Sequence, residues 1–242
     1  MPIIKLDAID STNDCLKQLA RVTNLENYTM VLANEQTSGK GQMGAKWVSE
    51  KGKNLTMSIL IKDVQLDNQN IYDFNIAVAL SIIKVLKNIQ IPNVFIKWPN
   101  DIMAENKKLA GILIENTIKP DGSINAIIGI GLNLNQTNFD DIPQASSLKC
   151  ITGKTYEQEE IAILLKDSLE TNRATIEKHS DSLWDDYHNN LYKINYPSPF
   201  EDKEGIRFMG IIKKVTHDGK LVVQLEDDSI THFEVKEVKM LY

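Results

Sequence analysis

Apolar and polar positions along this chain switch between period-two runs and helical spacing. Ile3 to Leu6 reads as a short strand. Ser11 then offers a cap with Asp14 three residues on, and Leu16, Leu19 and Ala20 follow at helical spacing, which predicts a helix over 12–22. Tyr28 to Ala33 and Leu55 to Ile61 read as strands, separated by a glycine-rich stretch, 34–53, that predicts mobile loop. Phe74, Ala77, Val78, Ile82, Val85 and Leu86 share one face, so 71–89 is an amphipathic helix. Val94 to Lys97 is a strand. Leu109 to Thr117 and Ile124 to Asn133 form a hairpin with Asp121-Gly122 at its turn. A polar loop, 135–154, leads to a capping box at Thr155 to Gln158 and a helix running to about residue 188. Tyr196-Pro197-Ser198-Pro199 breaks the chain, and short strands at 206–214, 220–226, 230–235 and 237–241 then predict a small β-barrel. Two β-rich runs around a long helix indicate an α+β fold rather than alternating βαβ units.

Composition narrows the function classes. The 242 residues, 42% of them hydrophobic, suffice for one medium domain and one small one; the expected division is 1–192 and 193–242. The net charge of −6, from 27 Lys+Arg against 33 Asp+Glu, argues against a broad nucleic-acid face. No apolar run approaches the roughly 20 residues of a bilayer span, so no membrane role is expected. The start, Met1-Pro2-Ile3-Ile4-Lys5, lacks a signal-peptide layout, and Cys15 and Cys150 have neither metal nor redox spacing. The expected compartment is the cytoplasm.

Two segments carry candidate chemistry. Lys97 ends an apolar strand and is followed by Trp98-Pro99-Asn100-Asp101. A desolvated ammonium needs an anion, either Asp101 or Glu115 or an acidic group of a ligand. Gly39-Lys40-Gly41-Gln42-Met43-Gly44 matches G-x-G-x-x-G, but the following residues are not helical and no G-K-[ST] ending is present. Neither a dinucleotide fold nor a P-loop fits. What survives is a glycine-rich, lysine-bearing loop able to close over an anion.

Five blocks in order now resemble the biotin–protein ligase family: Ser11-Thr12-Asn13; Gln36 to Gly44 with Trp47; Lys97 to Asp101; Lys108-Leu109-Ala110-Gly111-Ile112-Leu113-Ile114-Glu115; and Gly129-Ile130-Gly131-Leu132-Asn133-Leu134-Asn135. The resemblance implies a mixed β-sheet flanked by helices, related to class II aminoacyl-tRNA synthetases, with an SH3-like barrel behind it. It also implies biotin and ATP as substrates, Mg²⁺ beside the nucleotide, and a biotin carboxyl carrier protein or domain as acceptor, with a homodimer as an option. The chain starts at the first ligase strand, so no DNA-binding repressor role is expected.

The resemblance assigns Ser11, Thr12, Asn13 and Gln36 to the ureido head of biotin, with Gly129 and Gly131 allowing close approach of the ring. Ser11 reads equally well as a helix cap alone. Lys97 is placed between the biotin carboxylate and the ATP α-phosphate as the catalytic cation. Lys40, Gly41 and Gln42 belong to the loop that covers the intermediate, with Lys40 also on the phosphate, and Asn133 points toward the nucleotide. Lys40, Gln42 and Ala45 stand where the family often has arginines, so the adenylate is expected to be held less by charge here. Trp98 reads as core, and the four histidines carry no assignment. Lipoate–protein ligases share the reaction logic, and a non-catalytic biotin-sensing module is the alternative from another class.

Overall fold

The computed structural model describes residues 2–64, 71–119, 123–176 and 181–241. In chain order the first part holds β1 (Ile3–Ile9), α1 (Thr12–Val22), β2 (Met30–Gln36), β3 (Leu55–Val64), α2 (Ile71–Asn88), β4 (Val94–Lys97), β5 (Asp101–Ala104), β6 (Lys107–Ile118), β7 (Ile124–Leu132), α3 (Leu148–Thr152), α4 (Gln158–Ile176) and α5 (Asp181–Asn189). Its seven strands form one sheet in the order β1-β2-β3-β7-β6-β5-β4. β1 and β2 are parallel and the other neighbours antiparallel, so the sheet is mixed, as expected for this α+β chain. The predicted turn at Asp121-Gly122 lies outside the described residues.

Helices cover both faces. Ser11 sits in extended geometry and its hydroxyl accepts from the Asp14 N–H at 3.4 Å, which starts α1 where the cap rule placed it. α1 buries Leu16 against Val31, Leu60 and Ile127. On the opposite face α2 and α4 cover Met30, Leu32, Met57, Ile59, Ile128 and Ile130. Each such side chain contributes about 1.5–3 kcal/mol when withdrawn from water. The buried surface of α2 is wider than one stripe. Ile76, Ala79 and Ile83 are buried too, because α4, α5 and β4 pack around the same helix.

After the turn at 98–100, Asp101 opens β5, which pairs back on β4. Two local expectations need correction. The loop over 135–154 contains α3, capped by Ser147 onto the Cys150 N–H at 3.1 Å and ended by Gly153. The helix expected to run to about 188 is described over two stretches, α4 and α5, and 177–180 between them lie outside the described residues. The Pro197–Pro199 stretch is itself a strand. β8 (Pro197–Asp202), β9 (Arg207–Val215), β10 (Leu221–Leu225), β11 (Ile230–Phe233) and β12 (Val238–Met240) form a second, antiparallel sheet in the order β11-β10-β9-β8-β12. β12 pairs with Phe200–Asp202, and Pro199 gives only its carbonyl to that side, accepting from the Leu241 N–H at 2.9 Å, so neither proline is asked for an N–H there. Among the described residues no ladder joins β11 to β12, so this unit is observed as a five-stranded sheet rather than a closed barrel.

The second sheet docks beside the end of β4. The Trp98 indole N–H donates to the Gly219 carbonyl at 2.9 Å, and Trp98 is buried as expected of a core residue. Gly219 has φ +88°, and a Cβ there would lie 2.2 Å from the Tyr72 ring, so glycine is required twice over. No helix among the described residues is long and apolar enough to cross a membrane.

Candidate active site

Register places the lysine of the central motif in one row across the first sheet. Lys97 pairs with Asp101, Asp101 with Gly111, Gly111 with Gly131 and Gly131 with Thr56. Directly paired residues face the same side of a sheet. The row therefore runs from an ammonium and a carboxylate onto two glycines, which bare the backbone. Two positions along β7, Gly129 pairs with Leu113 and Ser58. A cavity of about 440 Å³ opens over this face.

The end of the cavity beside α1 is polar and internally wired. Gln36 Oε1 accepts from the Thr12 backbone N–H at 2.8 Å and from its hydroxyl at 3.0 Å. Ser58 Oγ donates to Asn13 Oδ1 at 2.5 Å and lies 2.8 Å from Thr12 Oγ1. Asn13 Nδ2 donates to Glu115 Oε2 at 2.9 Å, and Glu115 Oε1 takes the Lys17 ammonium at 2.6 Å. Ser11, Thr12, Asn13 and Ser58 are all buried, so each orientation is set by a partner rather than by water. Ser11 caps α1 and lines the cavity, so its two readings coexist.

The glycine loop is more ordered than an open mobile segment. Lys40 bridges Lys46 in antiparallel fashion, the Gly41 N–H reaches the Ala45 carbonyl at 2.7 Å, and the Trp47 N–H reaches the Gly39 carbonyl at 2.9 Å. A 3₁₀ turn at Gln42–Gly44 forms its tip. Trp47 lies over the glycine row: a Cβ at Gly131 would come within 2.3 Å of its indole, and one at Gly111 within 3.3 Å. At Gly129 the atom met would be Asn13 Oδ1, at 2.5 Å. The space above these glycines is taken by the chain's own indole and amide. The Trp47 indole N–H is buried without a partner among the described residues.

Six lysines, Lys40, Lys46, Lys97, Lys108, Lys236 and Lys239, also line the cavity, against a single described acid, Asp101; Lys97 and Lys108 lie with Asp101 on the side away from α1, whereas Lys40 reaches α1. Lys40 is held by Asp14 and Lys108 by Asp101, each at 2.6 Å. The Asp14 carboxylate raises the Lys40 pKa. Burial pushes the Lys97 pKa below the ordinary lysine value; Asp101 opposes that shift and Lys108 and Lys239 add to it. The carboxylates considered as ion-pair partners for Lys97 both hold other lysines, Lys108 on Asp101 and Lys17 on Glu115. Among the described residues no group of three or more Asp, Glu, His or Cys could hold a metal ion.

Ser11, Thr12, Asn13, Gln36, Lys40, Gly41, Gln42, Lys97, Gly129 and Gly131 all line this one cavity. Asn133 does not; its Nδ2 donates to the Ser146 carbonyl at 3.0 Å behind the β7 end. Sequence reasoning missed Ser58, Lys236 and Lys239. Ser58 sits in an apolar run where only register reveals its face, and the two lysines come from a sheet read as a separate unit.

Residues 6–135 match the Biotin/lipoate A/B protein ligase family. The bifunctional ligase/repressor BirA of Bacillus spizizenii is 33% identical over 162 residues, covering 64% of this chain and 49% of that protein. The biotin–[acetyl-CoA-carboxylase] ligase of Mycobacterium tuberculosis is 27% identical over 219 residues, covering 89% and 80%. This chain spans about half the length, or less, of the BirA proteins it matches. The fold matches that of the Aquifex aeolicus biotin protein ligase in complex with biotin and ATP, with a TM-score of 0.80 at 24% identity over 99% of this chain and 98% of that one. With more than half of its length matched by the family and the family's blocks gathered at one cavity, the chain belongs to the biotin/lipoate A/B protein ligase family.

Proposed function

We propose that this chain is a biotin–protein ligase. The observation that carries the reading is the cavity itself, which has a wired amide and hydroxyl cluster beside α1 and Lys97 and Lys108 beside Asp101 on the other side. Biotin has that polarity: a ureido head, an apolar middle and a carboxylate tail. Thr12, Asn13, Gln36 and Ser11 meet the head, where each unpaired buried group would cost about 1–3 kcal/mol. The dithiolane of lipoate has no such donors and acceptors, so the same cluster disfavours it. The unpartnered Trp47 N–H is a ready donor for a ligand oxygen. The Mycobacterium tuberculosis and Aquifex aeolicus proteins are biotin ligases, which supports biotin over lipoate, and a ligase over a sensor.

In the first half-reaction an oxygen of the biotin carboxylate attacks the α-phosphorus of ATP, and pyrophosphate leaves. Negative charge then crowds where Lys97 stands, and a fixed ammonium in a desolvated site lowers that barrier. Lys40, Gly41 and Gln42 cover the biotinyl-5′-adenylate, and Lys40 adds charge beside its phosphate. Magnesium would enter as part of the nucleotide complex, carried by its phosphates. In the second half-reaction the amine of an acceptor lysine attacks the acyl carbon, AMP leaves, and the amine loses a proton. Asn133 shapes the wall behind the nucleotide by anchoring Ser146.

The finer organisation belongs to the same proposal. Sheet membership supports a ligase unit over 1–192 and a small unit over 193–242, the latter an opened version of an SH3-like barrel. β1 is an edge strand that leads to Ser11, and it suits docking of a carrier domain or a second copy by strand addition. The negative net charge supports a reading without nucleic acid, and the cysteine usage a cytoplasmic one. The test is incubation with ATP, magnesium, labelled biotin and a biotin carboxyl carrier domain, with lipoate in parallel. Label on the carrier lysine from biotin alone is expected. No labelling and no biotin-dependent pyrophosphate release would overturn the reading.

A further inference from the structure

The tip of the glycine loop touches the second sheet at one point. Lys236 Nζ donates to the Met43 carbonyl at 2.6 Å, a bond between residues 193 positions apart. Met43 is exposed and has left-handed geometry, φ 55°, so its carbonyl is turned out of the loop's own hydrogen bonding. Between Gly39 and Trp47 the loop has no acidic side chain, which leaves a backbone carbonyl as the group an ammonium can take. Lys236 is presented by a turn that is itself tied down. The Glu234 N–H donates to Glu237 Oε2 at 2.8 Å, and Val235 bridges Val238. Its acidic neighbour Glu234 is engaged by Lys220 at 3.1 Å. Lys236 forms no ion pair among the described residues, whereas Lys40, at the loop's base, is spent on Asp14.

We propose that Lys236 is a positioning residue that clasps the glycine loop over the cavity, so that the second sheet helps to retain the acyl-adenylate formed beneath it. It acts through Met43 rather than on the reacting atoms. The clasp ties the loop to the unit that also holds Trp98, so the cover and the strand that bears Lys97 are fixed to one body. The retention half of the inference rests on the adenylate-forming reading; the loop-holding half does not.

The experiment uses the full chain as wild type, Lys236→Met, Lys236→Arg and Lys239→Met. Preformed labelled biotinyl-5′-adenylate is chased with unlabelled intermediate, and trypsin cleavage at Lys40 and Lys46 is followed separately without ligand. An exposed charged hydrogen bond is modest, so Lys236→Met is expected to release the intermediate roughly three- to tenfold faster and to be cut faster in the loop. Lys236→Arg should restore both. Lys239→Met takes the same charge from the same rim without touching the loop, and should leave loop cleavage at the wild-type rate. Wild-type release and cleavage in Lys236→Met would overturn the clasp, as would equal loop cleavage in Lys236→Met and Lys239→Met. If the wild type makes and binds no adenylate, the ligase reading fails by itself, and the cleavage arm alone then decides whether Lys236 holds the loop.

Discussion

Lys97 combines a location read from sequence with a state that only the fold explains. The strand end and the motif locate it, while burial depresses its pKa below the ordinary 10.5. A base whose folded pKa is depressed binds fewer protons folded than unfolded between the two values. Its contribution to stability therefore rises with pH through that window. An anionic ligand reverses the preference by favouring the ammonium, so biotin binding takes up a proton once the free site has lost it. Biotin affinity is expected to fall as pH rises from the lowered Lys97 value toward 10.5, by calorimetry, and Lys97→Met should flatten that dependence. The same variant should remain folded, with a thermal midpoint close to the wild type, because an ammonium disfavoured by burial is replaced by an apolar chain of similar length. Its biotin-dependent pyrophosphate release should drop by at least about 100-fold, in the range of a lost transition-state contact. A variant with near-normal release would remove Lys97 from the mechanism.

Among the secondary-structure elements, the glycine loop departs most from its sequence reading. Glycine content and weak periodicity suggested an open segment, because neither property reports the bonds at Gly39–Trp47 and Gly41–Ala45. Opening must nonetheless be cheap, since the tip is fastened to the body by few groups, chiefly Lys40, Lys236 and Trp47. If trypsin cuts at Lys40 and Lys46 through opening, ligand at 100 times its dissociation constant should slow cleavage about 100-fold. Equal cleavage with and without biotinyl-adenylate would mean the loop is no cover. The strand-borne part of the site shows what was and was not legible. Gly129 and Gly131 stood out as glycines inside strands, a sign of close approach, and the atoms a Cβ would meet there belong to Asn13 and Trp47. Ser58 could not be singled out, because a serine in Leu55–Ile61 acquires meaning only through its pairing with Gly129, about 70 residues away. Asn133 shows the converse: it belongs to a recognisable block, yet its amide is occupied by Ser146.

For the whole molecule, the order of strands and helices was largely legible and the relation between the two sheets was not. Apolar alternation locates β9 to β12 but says nothing of which first-sheet residue they meet, and the prolines of β8 hid a strand. The contact at Gly219 gives a quantitative expectation. Gly219→Ala meets both a left-handed backbone, φ +88°, and the Tyr72 ring, whereas Gly205→Ala meets a similar φ of +82° and no atom within 4 Å. Gly205→Ala should lose about 1 kcal/mol and Gly219→Ala about 2–4 kcal/mol, each kcal/mol lowering the thermal midpoint by roughly 2–4 °C. Equal midpoints for the two variants would mean that the turn does not press on Tyr72.

The indole-to-carbonyl bond at Trp98 and Gly219 also limits how this chain can be re-engineered. A chimera that exchanges the last 50 or so residues for those of a relative imports a foreign loop under the lysine strand, so grafts should work only when turn and tryptophan travel together. The C-terminal sheet is thus matched to the first one, and the turn at Gly219 is a poor place for a tag or insertion.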